Sequence, residues 1–366
     1  MKHVTFLIAD GVINPGCLFS AIEVFETANA FHQAKENEPY YHVRLAGATL
    51  QQQVVNSIFT LQVAPLDDPA TTANSTATAT ATADPAATAT TATTAANPAH
   101  TAEPELIILP SYGEQDDFAI RKNPEVIDWI VRQYAKGAEV ASLCTGTFLL
   151  AAIGLLEGKV CATHWKAEAH FRQLFPELDL HTSKIVTDQQ GIYTAGGAVS
   201  SLNLALYIVE KYSGREAALY CARILQIDID RNSQSQFILF DGLKDHKDDT
   251  IRTMQNFIEQ HVGDRLTVDQ LATQCAMDRI NFSRRFKRAT RLAPADYIQR
   301  IKMEAAKRKF ESTGKNISEV MYEVGYVDVK AFRNIFKKVV GLTPSEYKTK
   351  FNQRDLPQGP PPQGLI

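Results

Sequence analysis

Two groups of residues have the types and spacing to do chemistry. The first surrounds Cys144, in EVASLCTGTFLLAAIGLLEGKVCATHW (139–165). An apolar strand that runs into C-T-G-T and then a helix has the geometry of a nucleophile elbow, with the glycine allowing the tight turn. Cys144 is then expected at a helix N-terminus, where the dipole favours a thiolate. Thr163-His164-Trp165 follow about twenty residues later and would bring an imidazole near that sulfur. Metal binding is not expected, because His164, His170 and His181 lack ligand spacing of the H-E-x-x-H kind. The five cysteines (17, 144, 161, 221, 275) form no C-x-x-C pair and read as reduced thiols. Nothing in the chain calls for a cofactor.

The second group is basic and helical. LTVDQLATQCAMDRINFSRRFKRATRLAP (266–294) has helix-turn-helix spacing. Thr267 can cap a helix with Val268, Leu271 and Ala272 inside, Ala276-Met277 occupy the turn, and Asp278 caps the next helix. Burying Phe282 and Phe286 at i, i+4 leaves Arg279, Ile280, Ser283, Arg284 and Lys287 outward, a face suited to a major groove. About 50 residues on, ISEVMYEVGYVDVKAFRNIFKKVVGLTPSEY (317–347) repeats the pattern. There Val320 and Met321 point in, Gly325 sits in the turn, Asp328 caps, and Phe332 and Phe336 are buried. Val329, Lys330, Arg333 and Asn334 face out. Both units close on L-x-P-x-x-Y (292–297 and 342–347), and ADYIQRIKMEAAKRKFES (295–312) between them is one long amphipathic helix.

These residues need a framework to hold them. A chain of 366 residues suggests two or three domains. Hydrophobic residues at 45% and charged residues at 22% exclude a wholly disordered, collagenous or coiled-coil protein. The longest apolar run, Phe148 to Leu156, is far shorter than the roughly 20 residues of a membrane helix. MKHVTFLIADG meets Asp10 too early for a signal-peptide core, so a cytoplasmic location is expected. The net charge of −3 is uneven: residues 248–354 carry 21 Lys and Arg against 13 Asp and Glu, and the remainder is acidic. A basic third beside an acidic body is a nucleic-acid-binding footprint.

Apolar strand runs at 3–9, 41–47, 105–110 and 139–143 alternate with helical segments at 17–31, 124–136 and about 145–155. That alternation predicts an α/β domain with a mostly parallel sheet sandwiched by helices. Residues 70–102 interrupt it with 26 Ala or Thr in 33 positions, a composition that cannot bury a core and reads as a disordered insert. Strand patterns stop near Asp230, and 231–248 reads as a linker to an all-α domain at 249–350. The Pro/Gly-rich tail, 351–366, reads as flexible.

Residues 250–350 resemble an AraC/XylS-type DNA-binding domain, carried by the two units, the connecting helix and both Pro-Tyr endings. In that family each second helix enters one of two successive major grooves. The resemblance makes Ile280, Ser283, Arg284, Val329, Lys330, Arg333 and Asn334 base-facing, and Lys287, Arg288, Lys337 and Lys338 phosphate contacts. Ala276 departs from the family, which has glycine there, so a strained turn is expected. Residues 1–225 resemble the DJ-1/PfpI (class I glutamine amidotransferase-like) fold. A-S-L-C-T-G, A-T-H-W and R-x-x-Q-x-Q-F (231–237) narrow the likeness to GlxA-type regulators, which join that domain to an AraC module. Enzymes of the DJ-1/PfpI fold place a Glu from the first loop beside the cysteine, whereas Gly16 aligns with that position here.

The resulting expectation is a DNA-binding transcription regulator, an activator by resemblance, controlled by a small metabolite. Its pocket would comprise Asp10, Gly11, Ser111, Cys144, His164 and Trp165, with no catalytic residues. Expected partners are double-stranded promoter DNA, an unidentified effector, a second copy of the chain in a homodimer, and RNA polymerase if it activates; no membrane is involved. The alternative is a thiol hydrolase or glyoxalase-like enzyme tethered to DNA, and Cys144 as an oxidation sensor is a third.

Overall fold

A computed structural model describes residues 1–9, 13–48, 51–54, 59–66, 105–112, 123–197, 199–229 and 233–352. The Ala/Thr segment at 70–102 and the tail beyond Asn352 lie outside them. The chain divides into two compact units, Met1–Gln234 and Ser235–Ile366.

The first unit is built on seven strands: β1 (Lys2–Ile8), β2 (Tyr41–Gly47), β3 (Ala64–Pro65), β4 (Leu106–Leu109), β5 (Glu139–Ser142), β6 (Val186–Gln189) and β7 (Ile192–Ala195). They form one sheet in the order β6-β7-β5-β4-β1-β2-β3, parallel except for the β6–β7 pair. All four residues of β4 are buried, as a continuous apolar run must be when both faces of a sheet are covered. Helix α1 (Pro15–Gln33) packs along the long helix α5 (Ser200–Ile224), and α2 (Pro124–Ala135), α3 (Thr147–Ala152) and α4 (Glu168–Leu174) complete the unit's main helices. Because β1, β4, β5 and β7 run parallel, their carboxyl ends share one edge, the edge where such sheets place their sites.

The start of α1 is pinned to that edge. Asn14 accepts from the backbone N–H of Gly16 and Cys17 at 3.0 and 3.4 Å, and Pro15 supplies the helical φ of the first turn. The Asn14 N–H in turn donates to the Ser111 carbonyl at 2.8 Å, just beyond β4.

The second unit is helical: α6 (Asp249–Gln260), α7 (Val268–Gln274), α8 (Arg279–Thr290), α9 (Pro294–Ser312), α10 (Ile317–Glu323), α11 (Val329–Val340) and α12 (Pro344–Phe351). Capping boxes at Thr267 with Gln270 and Asn316 with Glu319 start α7 and α10, and Asp278 and Asp328 cap α8 and α11. Two apolar cores form. One gathers Leu271, Phe282 and Phe286 with Tyr297, Ile298 and Ile301; the other gathers Val320, Phe332 and Phe336 with Met303, Ala306 and Phe310. Each fully buried Phe contributes roughly 1.5–3 kcal/mol. Both cores are completed by α9, whose first half serves one and second half the other. Part of the segment read as a linker belongs to this unit: Phe240 is buried against Tyr297, and the Gly242 carbonyl accepts from the Tyr297 hydroxyl and the Gln255 amide.

The two turns differ by one residue, since 275–278 joins α7 to α8 and 324–328 joins α10 to α11. In each, the residue after the cap is left-handed, Ala276 at φ 51° and Gly325 at φ 76°, and the next N–H reaches back to the Ala272 or Met321 carbonyl at 3.0 Å. Only glycine takes that conformation without strain. Ala276→Gly is therefore expected to stabilise the protein by about 1 kcal/mol. Gly325→Ala adds a Cβ only 2.5 Å from the Gly263 carbonyl oxygen and is expected to cost more than about 2 kcal/mol. Chemical denaturation measures both, and loss of stability in Ala276→Gly would contradict the strain.

Candidate functional site

At the carboxyl edge of the first unit, β5 ends at Ser142 and the chain turns sharply at Cys144, whose φ of 53° is left-handed. A non-glycine residue holds that strained conformation only where its surroundings fix it. They do so here. The Cys144 carbonyl accepts from the hydroxyls of Thr147 and Thr163, at 3.1 and 2.9 Å, and Ser142 and Thr147 hydroxyls pair at 2.9 Å. Gly146 lets the following helical turn come close to β4, since a Cβ there would lie 2.5 Å from the Pro110 carbonyl oxygen. The elbow expected from C-T-G-T is thus the local geometry.

Its chemistry differs from the expectation. Cys144 is 4% exposed, and the foremost group acting on its thiol is Cys17, near the start of α1. The Cys17 thiol and burial push the Cys144 thiol upward, against the lowering that a helix N-terminus would give, with Ser111 and the Thr145 N–H opposing them. Cys17 is lowered to about 7, first by its hydrogen bond with Cys144 against the cost of burial, then by the hydroxyls of Ser201 and Ser111. Its place in the first turn of a 19-residue helix acts in the same direction.

Of the expected pocket residues, Ser111 and Cys144 are brought together, and the Ser111 and Thr145 hydroxyls lie 2.8 Å apart. Asp10 and Gly11 lie outside the described residues. His164 Nδ1 accepts from the Lys166 N–H at 3.0 Å, and its Nε2 edge faces Gly197. Trp165 is half-buried with its ring 5.5 Å from that of His164.

Two residues were missed. Cys17 adjoins Gly16, and its helical position one residue on turns it toward the elbow; a cysteine adjoining the position where an acid is expected was the available signal. Gln234 is 1% exposed; its amide donates to the carbonyls of Thr163, Thr182 and Lys184 at 3.1, 2.8 and 2.9 Å and its oxygen accepts from the Gly197 N–H at 2.7 Å. It closes the first unit immediately before Ser235.

In the second unit, α8 exposes Arg279, Ile280, Arg284, Lys287 and Arg288, with Ser283 half-buried, and α11 exposes Val329, Lys330, Arg333, Asn334, Lys337 and Lys338. Ile280 is 79% exposed, and Val327, the extra residue of the second turn, 83%. Arg279 is paired with Asp269 at 3.2 Å, both exposed, and Arg284 donates to Asn281 at 3.0 Å. Arg285 is turned away, bidentate on Asp248 at 2.7 and 2.9 Å, and that guanidinium holds the Asp248 carboxyl below its usual 3.8. Lys302 on α9 is 6% exposed and donates to the carbonyls of Val262, Asp264 and Val324 at 2.7, 2.8 and 2.8 Å. Burial lowers its ammonium, and Asp264 opposes the shift.

Among the described residues no group of three or more His, Cys, Asp or Glu could hold a metal ion, and no helix is long and apolar enough to cross a membrane. Lys302→Met leaves three carbonyls without their donor and is expected to cost about 3 kcal/mol in denaturant unfolding, where no change would mean they reach water. Asp248→Asn is expected to lower stability above pH 3.8. A carboxylate depressed in the folded state stabilises above its unfolded value and loses that stabilisation as pH falls through its folded one, so the deficit should shrink below pH 3.8; a pH-independent deficit would refute the ion pair's part in it.

A model of the DJ-1/PfpI family matches residues 4–211, and a helix-turn-helix domain model matches residues 271–350. The chain is 23% identical over 223 residues to the HTH-type transcriptional regulator GbdR of Pseudomonas aeruginosa, covering 61% of this chain and 60% of the relative. It is 24% identical over 221 residues to the HTH-type transcriptional regulator GlxA of Rhizobium meliloti, covering 58% and 66%. A shorter likeness, 31% over 100 residues, covers 27% of this chain and 42% of the isonitrile hydratase of Pseudomonas putida. The match to GbdR thus spans about three-fifths of that regulator's length. With more than half of its length matched by one family model, over the stretch that forms the parallel sheet and its elbow cysteine, the chain belongs to the DJ-1/PfpI family, followed by a helix-turn-helix domain.

Proposed function

We propose that this protein is a sequence-specific DNA-binding transcription regulator of the GlxA type, governed by a small metabolite taken up at the carboxyl edge of the first unit's sheet. The observation that carries the reading is the doubled reader: α8 and α11 each expose a basic face, and both rest on the single helix α9. Arg284, Arg333 and Asn334 are the base-reading polar groups, while exposed Ile280 and Val329 suit thymine methyls. Lys287, Arg288, Lys337 and Lys338 contact phosphates and set affinity without sequence information. Promoter DNA, a second copy of the chain and, for activation, RNA polymerase are the partners, and the nucleoid is the place of action.

An effector can regulate only by binding two states of the protein unequally. Ser111, Cys144, His164 and Trp165 are the proposed effector-site residues among the described ones. Gln234 supports a route out of it, because its amide grips Thr163 and Gly197 beside His164 and precedes the second unit directly.

The enzyme reading has the likeness to isonitrile hydratase in its favour. Against it stand a buried Cys144 thiol pushed upward and an imidazole directed at Gly197. It requires fast alkylation of Cys144 near neutral pH and turnover lost in Cys144→Ala.

Selection of binding sites from random duplex DNA tests the regulator. The expected product is a two-part motif spaced by about one helical turn, with one half relaxed in Arg284→Ala and the other in Arg333→Ala, each costing about 1–3 kcal/mol at its base pair. Binding that remains indifferent to sequence with and without effector candidates would overturn the proposal.

A further inference from the structure

The two helix-turn-helix units are built from parts of equal length. Helices α7 and α10 each have seven residues, and α8 and α11 each have twelve. Both turns begin alike, with Ala276 or Gly325 left-handed and the N–H of Met277 or Tyr326 bonded back to the Ala272 or Met321 carbonyl at 3.0 Å. Each then lays an apolar side chain against its core, Met277 in the first unit and Tyr326 in the second. From Met277 the chain goes straight to its cap, Asp278, whereas Val327 stands between Tyr326 and the cap Asp328. Residues 275–277 suffice to join the first pair of helices, so Val327 is not there to close the turn.

Nor does Val327 serve the core. It is 83% exposed, more than any other large apolar side chain among the described residues. Both its neighbours are held. The Tyr326 ring lies 5.5 Å from that of Phe332, with the Lys302 ammonium 5.8 Å from its centre, and the Asp328 carboxylate accepts from the Ala331 N–H at 2.6 Å. Val327 is thereby presented to solvent at the N-terminus of α11, the end of a reader helix that meets base edges. Its β-branched side chain has little rotamer freedom to lose on contact. Val329, two residues on, is also exposed, where the corresponding residue of α8 is Arg279, paired with Asp269. The second reader therefore offers an apolar tip where the first offers a charged one. The apolar group that base pairs display in the major groove is the thymine C5-methyl.

We propose that Val327 is a specificity-determining residue of the second reader, packing on the methyl group of a thymine at the edge of its half-site. The first half-site has no counterpart to that base pair, because the first turn has no counterpart to Val327. The two half-sites are then unequal, and the operator has a direction. This inference rests on the DNA-reading function proposed above.

The test selects sites from random duplex DNA with the full-length protein and with Val327→Ala. Thymines of the selected duplex are then replaced singly by deoxyuridine, which lacks only the methyl group. At one thymine of the second half-site the replacement should weaken wild-type binding about fourfold, the worth of one buried methyl group, and leave Val327→Ala binding unchanged. Selection with Val327→Ala should relax that same position. Arg333→Ala should relax a different base pair of that half and keep the deoxyuridine effect. Val327 is so exposed that its truncation should not disturb folding. A Val327→Ala protein that selects the wild-type motif and shows the wild-type losses at every deoxyuridine would overturn the inference while the regulator stands. The same pattern is what a protein-docking role for Val327 would give. A wild-type chain that selects no motif overturns both.

Discussion

The arrangement of the helix-turn-helix unit depends on one helix belonging to two cores. Tyr297, Ile298 and Ile301 of α9 close the first helix-turn-helix core, and Met303, Ala306 and Phe310 close the second within the same rigid rod. At the crossover sits Lys302, whose three donors satisfy carbonyls at the end of the α6 turn and at the end of α10. A buried ammonium is tolerated because each of its protons finds an oxygen. The orientation of α8 relative to α11 is therefore set by packing and by one side chain, not by a flexible tether. Two half-sites can be read together only if that orientation is fixed.

In the first unit the corresponding constraint is the parallel sheet. Parallel pairing forces β1, β4, β5 and β7 to end on one edge, so residues far apart in sequence converge there: Cys17, Ser111, Cys144, Gly197 and Ser201. The strained turn at Cys144 is held by threonine hydroxyls.

Much was legible because it is local. The i, i+4 phenylalanines, the Asp278 and Asp328 caps and the outward Arg and Lys positions follow from helical period and side-chain hydrogen bonding within a few residues. The left-handed turn at Ala276 was also local, since a helix ending in that conformation wants glycine. The extra residue in the second turn, which exposes Val327, shows in the unequal spacing of the repeats, 49 residues between helix starts at α7 and α10 but 50 between α8 and α11.

The sequence by itself determined the order and type of elements, the doubled reader and the elbow, because periodicity, capping and turn chemistry act over short stretches of chain. Tertiary structure alone decided which side chains meet. It brought Cys17 to the elbow of Cys144, made Gln234 a buried clamp on Thr163 and Gly197, and drew Phe240 into the second unit. Those outcomes depend on loop return angles and on helix packing across tens of residues, where the free-energy differences belong to the assembled core and are carried by no local pattern.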